Sequence, residues 1–233
     1  MTEIIRNLLK ERALEYNDMK YFEDDPIIFP KEFYKRYKEG ELSLADVEIS
    51  AIFASHMAWG RRAMIVKNLE KLFEHMEWKP LKYVNSGSYR DDQTSLHRTI
   101  KWSEIAKICE RLRGIYSLSE TLESWSNSQI RTDIFGCKDE KSAPNKKINM
   151  MKRWLIRNDG IVDIGLWTKS KPSDLLIPLD VHVYNVAREL GLTLRRAKDI
   201  KTVLEITNKL KEVFPNDPCL GDFALFGYGV SKK

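Results

Sequence analysis

The chain reads as an all-α protein, and three observations lead there. Apolar residues recur at i, i+3, i+4 and i+7 in one segment after another. Alternating strand patterns are nearly absent. Residues 44–59, LADVEISAIFASHMAW, are apolar nearly all round, as expected of a buried central helix.

Residues 2–17 mix acids and bases at helical spacing and predict one amphipathic helix. The next stretch, YFEDDPIIFPKEFYKRY, is a loop passing into a short helix, punctuated by Pro26 and Pro30. Gly60 interrupts the central helix, and RRAMIVKNLEKLFEHM continues helically. Residues 86–95 are a polar loop, 103–116 and 118–126 read as helices, and 132–145 are rich in turn residues. Helices follow at 146–157, 181–190, near 199–214 and from about 218 to 228.

The chain has 233 residues and 42% hydrophobic content, enough for a packed core. No apolar run approaches the roughly 18 residues of a membrane span, and the N-terminus lacks the apolar core of a signal peptide. Cys109, Cys137 and Cys219 are odd in number and far apart, which fits a reducing cytoplasm rather than a disulfide framework. His75 and His97 have no partner at metal-ligand spacing, so no metal site and no cofactor are expected. The net charge is +5. Basic residues gather at Arg61–Arg62, Lys146–Lys147, Lys152–Arg153–Arg157 and Arg195–Arg196–Lys198. Such clusters suit a polyanion, and equally an ordinary solvated helix face.

Four segments bear on chemistry. In PLDVHVYNVARELGL, Asp180 precedes a helix whose apolar positions are Val183, Val186, Ala187 and Leu190. A carboxylate there is stabilised by free backbone N–H groups and the helix dipole, and a plain N-cap needs nothing more. NKKINMMKRWLIR opens a helix with Lys146 and carries Ile148, Met151 and Leu155 on its face. GDFALFGYG places Asp222 and Phe226 at i, i+4, on one face. VEISAIFASHMAWGRRAMIVKNLEKL runs from a buried helix through His56 and Trp59 into a basic one.

Together these segments resemble the helix-hairpin-helix DNA glycosylase superfamily. Its catalytic aspartate lies in a Val-Asp-Thr/Val-His-Val segment before a helix, matched here by Asp180 and by the histidine after it, His182, with Leu179 for the usual valine. In lyase members a lysine opens the helix after the hairpin, and Lys146 matches it, with Lys147 the alternative. The resemblance implies a two-lobed fold with lobes 44–130 and 131–233, helices of 1–43 packing on the second, and a cleft between lobes. It implies a bifunctional glycosylase/AP lyase in which Lys146 attacks the sugar and Asp180 stabilises the developing cation. Asp222, Phe226, Trp59, His56 and Met150 would line the base pocket. Lys147, Lys152, Arg153, His182 and Arg61 would contact DNA. The partner would be double-stranded DNA carrying a damaged base, most simply 8-oxoguanine, bound by a monomer in the cytoplasm, nucleoid-associated in a prokaryote.

The chain departs from the superfamily at the hairpin, which usually reads Leu-Pro-Gly-Val-Gly and here reads Lys-Ser-Ala-Pro-Asn, without the glycines that let backbone N–H groups approach a phosphate. The Lys146-to-Asp180 interval is longer than in endonuclease III. Both departures resemble the archaeal 8-oxoguanine glycosylases. As a whole the chain also looks like an uncharacterised bacterial family sharing an RW…D.GLW…PLD.H pattern. Readings left open are a monofunctional glycosylase, a non-catalytic nucleic-acid-binding member of the same fold, and a helical protein unrelated to DNA.

Overall fold

Helices and one short hairpin make up the regular structure of residues 1–231, the part that this computed structural model describes. The chain opens with α1 (Glu3–Tyr16), capped by Thr2, whose hydroxyl accepts from the Ile5 N–H. The chain divides into two compact units: Phe22–Asp139, and Met1–Tyr21 joined with the chain from Glu140 onward.

The Phe22–Asp139 unit is built around α3 (Leu44–Met57), against which α2 (Ile28–Lys38) packs. Ser43 and Asp46 form a reciprocal capping box at the start of α3. The second carboxylate oxygen of Asp46 accepts from the Leu81 N–H, 2.8 Å away, and so fixes the first turn of α5 (Pro80–Ser86). Between them runs α4 (Arg62–His75). A two-stranded hairpin, β1 (Ser95–His97) with β2 (Ile100–Lys101), leads into α6 (Trp102–Tyr116). The unit ends with a single turn, α7 (Asn127–Gln129), running into a π-helical turn over Ile130–Ile134.

The helix expected over 118–126 does not form; those residues are turns and irregular backbone. The cause is tertiary. Glu48 of α3 is wholly buried, and its carboxylate collects the Thr121 hydroxyl at 2.6 Å, the Leu122 N–H at 3.0 Å and the Tyr116 hydroxyl at 2.8 Å. A buried carboxylate needs such donors, and supplying them pulls the chain out of a helical path.

The other unit contains α8 (Lys146–Ile156), α9 (Val181–Glu189), α10 (Ile200–Lys211) and α11 (Leu220–Val230), with α1 laid along α11. The lobe boundaries expected from sequence therefore move. Only residues 1–21 join the C-terminal helices, whereas α2 packs on α3 and its buried Phe29 and Phe33 meet Phe73 of α4 at tilted angles.

Contact between α1 and α11 depends on Gly227. A Cβ added there would lie 2.1 Å from Cδ2 of Tyr16, whose ring is itself stacked on Tyr21 at 4.5 Å. Gly→Ala inside a helix ordinarily gains about 1 kcal/mol. Here overpacking against a ring locked by its neighbour costs roughly 1–3 kcal/mol and wins. Gly227→Ala is thus expected to lower the urea midpoint at unchanged m-value.

Candidate active site

The inward face of α8 organises the site. Lys146, Asn149, Arg153 and Arg157 follow one another at i, i+3, i+7 and i+11, so one helical face carries all four. Asn149 and Arg153 lie within α8 and Arg157 caps it; they are 2%, 6% and 2% exposed. These three form a polar stripe through the interior, and each of them has a built partner. Lys146, the first residue of α8, follows Asn145 in the left-handed conformation with φ +50°. Lys146 and Lys147 are both half-buried.

The Asn149 side-chain amide donates to two backbone carbonyls, Pro144 at 3.1 Å and Ile177 at 3.3 Å. One belongs to the loop two residues before Lys146; the other stands three residues before Asp180. The Ile177 N–H donates to the Thr207 hydroxyl of α10 at 3.3 Å, and the Leu176 carbonyl lies 3.7 Å from the Cys219 sulfur. The approach to Asp180 is therefore held by α8, by α10 and from the start of α11. Asp180 itself has an extended backbone, and its Oδ1 accepts from the Val183 N–H at 2.8 Å. No other hydrogen bond or ion pair engages this carboxylate among the described residues, so one oxygen is left over from the cap. Val181 and His182, in the first turn of α9, are exposed.

Arg153 was expected to face DNA. Instead it is buried and ion-paired, through Nη1 to Asp222 of α11 at 2.8 Å and through Nε to Asp163 at 3.3 Å. The correction has a plain cause: a guanidinium in the interior is retained only with carboxylates around it, and two converge here. Arg157 continues the network to Asp163 and to Asp217, at 2.8 Å from the latter. The two guanidinium groups lie over the ring of Phe223, at 4.7 and 4.9 Å from its centroid. Burial opposes the Arg153 charge, but Asp163 and Asp222 outweigh it and raise its pKa.

Asp222 is 6% exposed, and its Oδ1 has no hydrogen-bond partner among the described residues. Burial pushes its carboxyl up to about 6, with the Asp180 carboxylate adding repulsion and Arg153 working against both. The folded chain thus holds this proton more tightly than the unfolded chain does. The stability it contributes is complete below the ordinary value of 3.8 and is lost as pH rises to about 6. Asp222→Asn removes that dependence. In urea titrations across this window, the stability of the variant relative to wild type is expected to improve steadily with rising pH.

Phe226 is half-buried and meets Tyr16 of α1 edge-on, centroids 6.1 Å apart. Met150 is half-buried one turn after Lys146. Lys152 is half-buried too, and burial lowers its ammonium to about 8.

The remaining candidates belong to the Phe22–Asp139 unit. His56, near the end of α3, is 8% exposed, with Nε2 at 2.9 Å from Glu104 Oε1 and its ring stacked on Phe135 at 5.0 Å. Trp59 is half-buried, with the Arg98 guanidinium 4.5 Å above its ring. Its carbonyl accepts from His97 Nε2 at 2.9 Å, while His97 Nδ1 faces the Asn68 amide at 3.0 Å. Arg61 is exposed at the start of α4. Among the described residues no group of three His, Cys, Asp or Glu is placed to hold a metal ion.

Asn149 and Asp163 escaped the sequence reading. A signal was present: an asparagine and two arginines repeating every fourth residue on the face of α8 that also carries Lys146.

A mostly helical chain with a lysine-headed polar helix face is the class that fold and geometry define. The chain belongs to a family described as proteins of unknown function (DUF2400), whose model matches residues 25–135 and 126–231. No curated protein and no solved structure matches it.

Proposed function

We propose that the chain is a helix-hairpin-helix-type DNA glycosylase with AP lyase activity, excising an oxidised purine, most simply 8-oxoguanine. The observation that carries this reading is the inward face of α8. It starts at Lys146, reaches the segment bearing Asp180 through Asn149, and reaches Asp222 through Arg153.

The target nucleotide is flipped out of the stack, because its C1′ is out of reach inside a duplex. The neutral Lys146 amine attacks C1′, and the glycosidic C–N bond breaks, its electron pair leaving with the base. The Asp180 carboxylate stabilises the positive charge that develops on the sugar. Ring opening gives a Schiff base between Lys146 and C1′. Loss of a C2′ proton then expels the 3′ phosphate by β-elimination. Asp222 presents an acceptor suited to the N1–H and N2–H₂ donors on the Watson–Crick edge of guanine-type bases. Phe226 is an apolar face beside it.

A monofunctional enzyme is the second reading. It is favoured by the loop 141–145, whose lack of glycines sets it apart from the lyase hairpin, and by the unengaged oxygen of Asp180, which suits activation of water. The test is a panel of duplexes carrying single lesions, scored for base release, strand cleavage and borohydride trapping. Release with cleavage and trapping supports the bifunctional reading. Release without trapping selects the monofunctional one, and no release from any lesion contradicts both.

No described helix is long and apolar enough to cross a membrane.

A further inference from the structure

We infer that Asn149 is a positioning residue of this site: its side-chain amide latches the loop before Lys146 to the segment before Asp180. The inference rests on the glycosylase reading above. Three features of the latch carry it. Nδ2 has two hydrogens, and the two carbonyls it meets come from the two chain segments that deliver the reactive groups, Pro144 at 3.1 Å and Ile177 at 3.3 Å. Neither segment is regular structure, so neither has a ladder of its own to hold it in place. Both are pinned a second time from α10. The Ile200 N–H donates to the Ser142 carbonyl at 2.9 Å, and the Thr207 hydroxyl accepts from the Ile177 N–H at 3.3 Å. Loop and segment are thus clamped between α8 and α10, and the Asn149 side chain touches both.

An Asn is suited to this place by its donor count. Alanine supplies no donor and leaves both carbonyls unsatisfied. An ionised aspartate of the same shape sets two acceptors against two acceptors. A protonated aspartate supplies one O–H donor and restores one of the two bonds. Burial favours that protonated form, so it is reached on mild acidification.

The experiment compares wild type, Asn149→Ala and Asn149→Asp in single-turnover base release from an 8-oxoguanine duplex, well below the melting temperature of each protein. Duplex affinity is measured alongside. Misplacing reacting groups by about an ångström costs on the order of 10²-fold in rate. Asn149→Ala is expected to lose rate on that scale with duplex affinity within about twofold of wild type. The Asn149→Asp rate, divided by the wild-type rate at the same pH, is expected to climb as pH falls from about 8 to about 6. Taking the ratio cancels any pH dependence that both proteins share. If Asn149→Ala fails to fold, the aspartate ratio alone decides. Variants as fast as an active wild type overturn the latch, as does an aspartate deficit that stays flat with pH. A wild type that releases no base overturns the glycosylase reading and the latch with it, and the wild-type reaction alone separates that failure from the others.

Discussion

Lys146→Gln is expected to abolish borohydride trapping on an 8-oxoguanine duplex and to slow base release by roughly 10³-fold or more. Glutamine keeps a polar side chain, one atom shorter, but the lone pair of its amide nitrogen is delocalised into the carbonyl and cannot attack C1′. The half-buried position at the head of α8 tolerates it, so circular dichroism and duplex affinity should match wild type. Lys147→Gln, one residue along and therefore on a different helical face, should trap normally. Asp180→Asn is the companion test. Asparagine is as good an N-cap as aspartate, so the hydrogen bond now made to the Val183 N–H survives. Only the charge is lost, and with it about 10²- to 10³-fold in rate. A stable, inactive Asp180→Asn would separate the proposed catalytic role of this carboxylate from its cap.

Arg153→Leu is expected to destabilise the protein by about 3–5 kcal/mol, lowering the melting temperature by about 10 °C. The size follows from what is left behind. Among the described residues, Asp222 loses its one ion-pair partner while staying buried, and Asp163 keeps Arg157 alone. An unpaired buried carboxylate escapes its penalty by taking up a proton. Asp222, already raised to about 6 with Arg153 present, moves further up without it. The loss of stability should therefore be smaller near pH 5 than near pH 8, and thermal melts at both pH values check this. Replacing both partners, Arg153→Leu with Asp222→Leu, should recover part of the loss. An exposed, DNA-contacting Arg153 would behave oppositely, leaving stability almost unchanged and weakening duplex affinity.

What could be read from the sequence was local. The Asp180 cap, the α9 periodicity and the all-round apolar character of α3 are each specified within about two helical turns, and each is present. What could not be read depended on partners far along the chain. Lys152–Arg153–Arg157 looks the same in sequence whether solvated or buried. Only Asp163 and Asp222, 10 and 69 residues from Arg153, decide it. Helical spacing over 118–126 lost to Glu48, more than 70 residues upstream of Thr121 and Leu122. The short helix α5 depends on Asp46, 35 residues before Leu81. The Asp180-to-Lys146 relation falls between these cases. A family resemblance proposed it, while the Asn149 bridge that links their two segments left only a weak trace, an asparagine in helical register with Arg153 and Arg157.

In the proposed reaction Lys146 forms the covalent link to the sugar. Wild-type protein is incubated with an 8-oxoguanine duplex and borohydride, the adduct is digested with protease and nuclease, and the modified peptide is sequenced by mass spectrometry. A reduced sugar remnant on Lys146 alone is expected. A remnant on Lys147 or Lys152, or base release with no adduct at any lysine, would contradict it.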